Sequence, residues 1–296
     1  MTETIEIASR GLGQGSVYAL LALGFVIIYK ATRVISFAQP AFMLAGAVLV
    51  SYLVPSLGFW AAVPVAALGI AVLALGIERV AVRPMLGRPV FTIAIITIGV
   101  DVAVRVVTGA FIGIDLRQVG DPWGLSTVDI LGAAVQKRHL AMMAATAVLV
   151  AALFAFFRYT RMGLAMRAAA FDQEAAMAQG VSVGAVFAVS WAIAGALATV
   201  GGTFAATGGA SVEPTMWVIA LVALPVIILG GLDSLPGAVV SGLVVGLVQE
   251  TVAHFQQFFP AWLGGNVSII SPYVLMMLFL LVRPYGLFGT REVERV

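Results

Sequence analysis

Long apolar runs with few charges constrain this chain more than any other feature of its sequence. Of its 296 residues, 61% are hydrophobic and only 10% are charged, whereas soluble domains carry roughly 25% charged residues. A helix of about 20 apolar residues crosses the hydrocarbon core of a bilayer. The sequence therefore predicts an all-α, polytopic helix bundle embedded in a membrane, with some short or broken helices.

Nine apolar runs are candidate spans, and several of them are short. The runs 217–231 and 235–250 are separated by only three residues, so they are either two tilted spans or one broken, re-entrant pair. We therefore expect eight to ten spans, with nine as the best value. The runs cover residues 11–29, 36–54, 57–77, 90–112, 140–157, 184–207, 217–231, 235–250 and 269–282.

The distribution of Lys and Arg predicts the orientation of the chain, because cytoplasmic loops are enriched in these residues. With nine spans, the richer side is expected to be cytoplasmic, with the N-terminus outside and the C-terminus inside a bacterial inner (plasma) membrane. If the run 36–54 were re-entrant, this asymmetry would weaken. The richer side holds Lys30, Arg33, Arg79, Arg83, Arg88, Arg158, Arg161, Arg167, Arg283, Arg291 and Arg295, and the other side holds Arg10, Arg117, Lys137 and Arg138.

The loop 158–183 is a polar interruption and is predicted to contain a short helix on the cytoplasmic side. Asp172 is suited to cap that helix, because Asp accepts hydrogen bonds from the free N–H groups of a helix start. Gly180 is suited to end it. Phe171 and Met177 offer apolar contacts to a soluble partner. From the residues alone, docking of a partner and an amphipathic helix lying on lipid are equally favoured.

Four blocks of this sequence resemble permeases of ABC importers of the branched-chain amino acid type. In the loop, Glu174-Ala175-Ala176 followed by Gly180 resembles the cytoplasmic coupling loop of these permeases, and the string GLAMRA precedes it at 163–168. The other blocks lie at residues 11–47, 229–250 and 283–289.

The largest loops, about 113–139 and 158–183, are too small to be domains with their own cores, which predicts a single transmembrane domain over residues 1–296. The resemblance implies that this domain is a permease, with a cytoplasmic coupling loop at 158–183. It implies passage of branched-chain amino acids or a related small solute across the membrane, driven by ATP hydrolysis in partner subunits. The implied partners are a second related permease in a homodimer or heterodimer, two cytoplasmic ATP-binding subunits and an extracytoplasmic solute-binding protein. The implied ATPase-coupling residues are Glu174, Ala175, Ala176 and Gly180, flanked by Arg167 and Asp172.

One block departs from the family pattern. Members often carry Asn-Phe-Ala-His/Gln-Gly near the first cytoplasmic turn, and this chain has Ser36-Phe37-Ala38-Gln39-Pro40. Proline lacks a backbone donor, so Pro40 is expected to break or kink the helix near its start. A broken helix exposes backbone groups that bind solute, which makes the neighbouring Gln39 the best single candidate for the translocation pathway.

Three further polar residues in the spans are pathway candidates beside Gln39, namely Gln14, Tyr18 and Ser36. Uncharged amides and hydroxyls bind zwitterions without trapping them, and polar groups in a bilayer generally face the protein interior or water. The alternative is hydrogen bonding between helices. For any one of these residues, that structural interpretation is favoured.

Asp101 and Arg105 are four residues apart in one predicted span, with the acid on the N-terminal side. That spacing places them on one helix face and favours an internal ion pair, since an unpaired charge at that depth is costly. A structural ion pair is favoured over a gate or proton relay.

The sequence also argues against several other functions. It has no cysteine, no P-loop motif, and two histidines, His139 and His254, too far apart to form a helical metal pair. We expect no catalytic residue, metal or cofactor in this chain, with ATP and Mg²⁺ bound by the partner subunits, membrane lipid around it and no nucleic acid. The alternatives are an ion-gradient-driven secondary transporter and a non-transporting membrane scaffold.

Overall fold

The structure is a computed structural model that describes residues 2–85, 88–112, 117–260 and 265–289. The described residues are 77% helical with almost no sheet, so the predicted all-α, polytopic fold is confirmed. The predicted cytoplasmic residues Arg291 and Arg295 lie outside the described residues.

The described residues form twelve α-helices and one β-hairpin. The helices are α1 (Thr2–Thr32), α2 (Gln39–Leu57), α3 (Phe59–Ile77), α4 (Val90–Ile112), α5 (Lys137–Tyr159), α6 (Arg161–Phe171), α7 (Gln173–Ala178), α8 (Val183–Ala205), α9 (Val218–Leu221), α10 (Ala223–Gly230), α11 (Leu235–Phe255) and α12 (Val267–Val282). The antiparallel strands β1 (Thr127–Ile130) and β2 (Ala133–Gln136) precede α5.

Seven helices in the described part of the chain are long and apolar enough to cross a membrane, and two shorter apolar helical stretches accompany them. The chain is therefore a multi-pass membrane protein. The predicted run 217–231 is one of the shorter stretches, Val218–Gly230. At 1.5 Å per residue it is about 20 Å long, less than the roughly 30 Å of a hydrocarbon core, and the helix is interrupted at Val222.

Helix α1 is the central element of the bundle, and most of its residues from Gly11 to Ala31 are buried. It packs most extensively against α11, through small residues on both helices. A Cβ atom at Gly15 would lie 2.7 Å from the carbonyl oxygen of Gly242. Such close approach of two backbones requires glycine, as in G-x-x-x-G pairs of membrane helices.

The start of α2 differs from the kink that Pro40 predicted. The helix begins at Gln39, so Pro40 lies in its first turn. An N–H group at this position has no partner within the helix in any case, and the fixed φ of proline suits a helix start. Pro40 therefore lies in the first turn of α2 and does not break the helix.

Contacts across the bundle define its two ends. Helix α1 has 31 residues and is therefore about 46 Å long. Near its C-terminus, Arg33 donates to the carbonyl of Ala170, and near its N-terminus Glu6 accepts from the N–H of Ala134. We call the end of the bundle at the C-terminus of α1 the basic end. It holds Lys30, Arg33, Arg79, Arg83, Arg88, Arg158, Arg161, Arg167 and Arg283.

Candidate functional site

The loop 158–183 forms two consecutive short helices at the basic end, α6 and α7. Thr160 caps α6 by accepting from the N–H of Gly163 at 2.9 Å. Asp172 ends α6 and caps α7, accepting from the N–H of Ala175 at 3.0 Å. Gly180 follows α7 with a φ of +82°, a conformation that favours glycine. Both helices are therefore bounded by local signals in the sequence.

The inner face of α6 and α7 packs closely on the bundle. A Cβ atom at Gly163 would lie 2.6 Å from the Cα atom of Phe157, so glycine lets α6 fold back on the end of α5. Met166, Ala169 and Ala176 are buried, each at most 5% exposed. These small and flexible side chains allow the two helices to lie flat against the bundle.

Two hydrogen bonds attach helices α6 and α7, together called the α6–α7 unit, to the end of α1. The guanidinium of Arg33 donates to the carbonyl of Ala170, the last but one residue of α6, at 2.9 Å. The Nε2 atom of Gln173, the first residue of α7, donates to the carbonyl of Ala31 at 2.9 Å. The junction between α6 and α7 is therefore held against the central helix of the bundle.

The junction also presents large apolar side chains to the outside. Phe171 is 94% exposed and Met177 is 53% exposed. We call Phe171, Met177 and the exposed residues Asp172, Glu174 and Ala175 the outer face of the α6–α7 unit.

The structure places the six predicted coupling residues in one unit but in different roles. Glu174, Ala175 and Asp172 lie on the outer face, and Gly180 ends α7. Ala176 points inward and is 5% exposed, so it faces the bundle and not a soluble partner. Arg167 is exposed in the middle of α6.

Sequence reasoning missed Gln173 and Arg33, the residues that anchor the unit to α1. Both are polar residues in or near predicted loops, and nothing in their spacing distinguishes them from solvent-exposed neighbours. Their partners are backbone carbonyls 142 and 137 residues away in sequence. Hydrogen bonds between residues so far apart leave no periodic pattern in the sequence.

The four predicted pathway residues fall into two separate groups. Gln14 donates to the hydroxyl of Tyr18 at 3.1 Å, and that hydroxyl donates to Gln249 of α11 at 2.6 Å. Gln249 is a further polar residue that sequence reasoning did not select. This network joins the middle of α1 to α11, about 18 Å along α1 from Lys30 at the basic end.

The second group is enclosed between helices. Gln39 is fully buried and donates to the carbonyl of Ala194 in α8 at 3.1 Å. A Cβ atom at Gly24 of α1 would collide with the Gln39 amide. Ser36 is 1% exposed. In this conformation Gln39 therefore fills a gap between α1 and α8.

The charged residues predicted on α4 lie side by side. The Nη2 atom of Arg105 is 2.5 Å from the Oδ2 atom of Asp101. Asp101 is 6% exposed, and the guanidinium of Arg105 stacks 4.0 Å from the ring centroid of Trp217, within cation–π range. The pair thus connects α4 with the segment that leads into α9.

Among the described residues, no group of three or more His, Cys, Asp or Glu side chains is arranged to hold a metal ion.

Comparisons with known proteins match nearly the whole chain. A sequence family described as the permease component of branched-chain amino acid transport systems matches residues 7–282. The permease protein LivH of the high-affinity branched-chain amino acid transport system of Escherichia coli K12 is 28% identical, over 97% of this chain and 96% of LivH. The permease protein LivM of the same organism is 24% identical, over 96% of this chain and 69% of LivM.

A solved structure has a similar fold. One chain of PsaBC from Streptococcus pneumoniae, solved in complex with a Fab, superimposes with a TM-score of 0.51 and 12% sequence identity. The match covers 93% of this chain and 91% of that one. At this identity the likeness concerns the arrangement of helices.

Proposed function

Because this chain belongs to the family of permease components of branched-chain amino acid transport systems, we propose that it is the membrane subunit of an ATP-driven importer. It is not itself an enzyme in this proposal. The transported solutes are branched-chain amino acids or related small amphipathic molecules, and ATP with Mg²⁺ is bound by separate subunits. Residues 1–296 act as one permease domain in a bacterial inner membrane, with the basic end in the cytoplasm.

The α6–α7 unit is the proposed contact for the ATP-binding subunit, and its two faces are the observation that carries this proposal. The outer face exposes Phe171 and Met177, which suit a pocket on a soluble partner. The inner face is bound to α1 through Gln173 and Arg33. Since interfaces and packed cores shift between discrete arrangements, a displacement of Phe171 moves the end of the central helix.

The second connection runs to α8, the helix that follows the coupling loop. Arg83 donates to the carbonyl of Gly184 at 2.8 Å and makes two hydrogen bonds to the buried carboxylate of Glu78. This bidentate pair holds the segment after α3 against the start of α8. Motion of the coupling loop therefore reaches α3 and α8 as well as α1.

A second permease subunit completes the proposed assembly. One organism has two permeases, LivH and LivM, that both resemble this chain, which favours a heterodimer of related chains over a homodimer. A soluble solute-binding protein would dock at the end opposite the basic end. Gln14 and Tyr18, linked to Gln249, are the proposed polar contacts of the solute near the middle of α1.

The test is uptake by proteoliposomes that hold this chain with the second permease, the ATP-binding subunits and the binding protein of its transport system. We expect uptake of radiolabelled leucine that requires ATP on the side of the membrane that the basic end faces. The uptake should stop when the ATP-binding subunit carries an inactivating substitution. Uptake by this chain that follows an imposed proton gradient without ATP would contradict the proposal and favour a secondary transporter.

A further inference from the structure

A groove of about 670 Å³ opens at the basic end between α1, α5, α6 and α11. Its volume lies within the roughly 300–1,000 Å³ of small-molecule sites. Three cations from three different helices line it, Lys30 of α1, Arg158 of α5 and Arg167 of α6. None of the described residues that line this groove is acidic. Two of these cations, Lys30 and Arg158, lie on the long helices α1 and α5 and not in the short helices of the coupling loop.

The apolar lining of the groove continues along a face of α5 that the rest of the chain leaves exposed. Ala151, Phe154, Ala155 and Arg158 all line the groove, and their spacing of three and four residues places them on one helix face. Ala151 and Ala155 are exposed, and Phe154 is 39% exposed. The face is therefore an apolar strip that ends in a cation.

The charge of the groove remains positive after its nearest polar contacts are counted. Lys30 donates to the backbone carbonyl of Asp233 at 3.0 Å, and the carboxylate of Asp233 also interacts with it electrostatically. Arg158 and Arg167 are exposed. One carboxylate against three cations leaves a net positive site that attracts anions.

We propose that this groove binds an anionic phospholipid, with its phosphate at Lys30, Arg158 and Arg167 and one acyl chain along Ala151 and Phe154. Basic pockets between membrane helices on the cytoplasmic side are suited to anionic head groups. The α5 face, an apolar strip that ends in a cation, matches a lipid, which carries its charge at one end and its apolar chains beyond it. A small free anion would leave the apolar strip uncovered.

A second copy of this chain and a soluble peptide both fit the groove less well. In a symmetric dimer the same surface meets itself, so a second copy would bring Arg158 and Arg167 against their own copies without an acid between them. A soluble acidic peptide would have to contact the strip formed by Ala151 and Phe154, which lies within a span. A lipid in the bilayer reaches both the apolar strip of α5 and the cations at its end.

The experiment uses the absence of cysteine from the natural chain. A fluorophore on Ala155→Cys reports lipid in the groove, and a fluorophore on Val148→Cys, which is 68% exposed on the same helix and does not line the groove, reports bulk lipid. The full-length chain is placed in vesicles containing brominated phosphatidylglycerol or brominated phosphatidylcholine. We expect the phosphatidylglycerol to quench the label at residue 155 more strongly, with no preference at residue 148.

Two pairs of substitutions separate a site from general attraction to a positive surface. Lys30→Gln with Arg158→Gln should lower the preference for phosphatidylglycerol about 30-fold, because each basic residue near the head groups contributes about fivefold. Arg79→Gln with Arg88→Gln removes two exposed charges from the same end and should leave the preference unchanged. Arg158→Gln alone changes one exposed side chain, so it provides a variant expected to fold, with about a fivefold loss.

Three results would overturn the proposal. Equal quenching at residue 155 by the two lipids would show no anionic selectivity. Equal losses in the two double variants would assign the preference to the whole basic surface. Removal of the preference by a large excess of inorganic phosphate would assign the groove to a small anion and not to a lipid. None of these measurements depends on transport, so the outcome is independent of the proposed import function.

Discussion

Gln173 and Ala31 are 142 residues apart in sequence, and a hydrogen bond of 2.9 Å from the Gln173 amide to the Ala31 carbonyl joins them. This bond connects the first residue of the short helix α7 to the end of the central helix α1. It is one of two bonds that attach the outer, partner-facing part of the coupling loop to the bundle.

Gln173→Ala is expected to loosen α7 without unfolding the protein. One hydrogen bond contributes about 1 kcal/mol, so amide hydrogen exchange in residues 173–178 should accelerate about fivefold. If α7 transmits motion to α1, the number of solutes moved per ATP hydrolysed should also fall. Gln179→Ala is the matched control, because Gln179 is exposed immediately after the same helix. Equal exchange rates in the two variants would contradict a stabilising hydrogen bond from Gln173 to α1.

Phe171→Ala is expected to weaken binding of the ATP-binding subunit. The side chain is 94% exposed, so its removal costs little within this chain. A large apolar residue at the centre of an interface commonly contributes 2 kcal/mol or more, which corresponds to about a 30-fold loss of affinity. The measurement is the dissociation constant for the purified ATP-binding subunit, with the permease held in detergent.

The control for this variant is Phe258→Ala, which removes an aromatic ring that is 73% exposed at the opposite end of the bundle. Its affinity for the ATP-binding subunit should equal that of the natural chain. If Phe171→Ala also binds with unchanged affinity, the outer face of the α6–α7 unit is not the docking surface.

Local features of the site were accessible from the sequence, whereas its long-range contacts were not. A cap at Asp172 and a helix end at Gly180 depend on residues within three or four positions, so residue type and spacing are sufficient. The inward direction of Ala176 depends on which face of α7 meets the bundle. The bond from Gln173 to α1 depends on the packing of distant helices, and a single polar residue gives no sign of it.

The same distinction applies to the membrane helices. Apolar runs predicted the helical, polytopic fold because bilayer thickness fixes the length of a span. The interruption of the run 217–231 at Val222 was not predictable, since that residue is an ordinary apolar one. The gap that Gln39 occupies was also not predictable, because Gly24 on another helix creates it.

Asp101→Asn is expected to destabilise the protein more than Asp101→Asn combined with Arg105→Gln. The single change leaves the Arg105 guanidinium without its acid in the membrane, and breaking a buried pair costs about 3–5 kcal/mol. The double change removes both charges. The midpoint of thermal unfolding in detergent should therefore be lower for the single variant. Equal midpoints would argue against a mutual pair.

Gly246→Ala is expected to destabilise the contact between α1 and α11. A Cβ atom there would collide with the backbone of Gly11 and Gly15, and overpacking of this kind costs about 1–3 kcal/mol. Gly99→Ala is the matched control, because Gly99 is also helical but has no atom within 4 Å of the added Cβ. Gly99→Ala should leave the unfolding midpoint unchanged or slightly raised, since alanine favours helix. An equally small effect at Gly246 would contradict the close contact.

The basic end is expected to face the cytoplasm, because cytoplasmic segments are enriched in Lys and Arg. Single cysteines report this cleanly in a chain that has no cysteine of its own. In intact cells, a membrane-impermeant maleimide should label Leu125→Cys, which is 73% exposed at the opposite end, and should leave Phe171→Cys unlabelled until the membrane is permeabilised. Labelling of Phe171→Cys in intact cells would place the coupling loop outside. An ATP-binding subunit in the cytoplasm would then have no access to it.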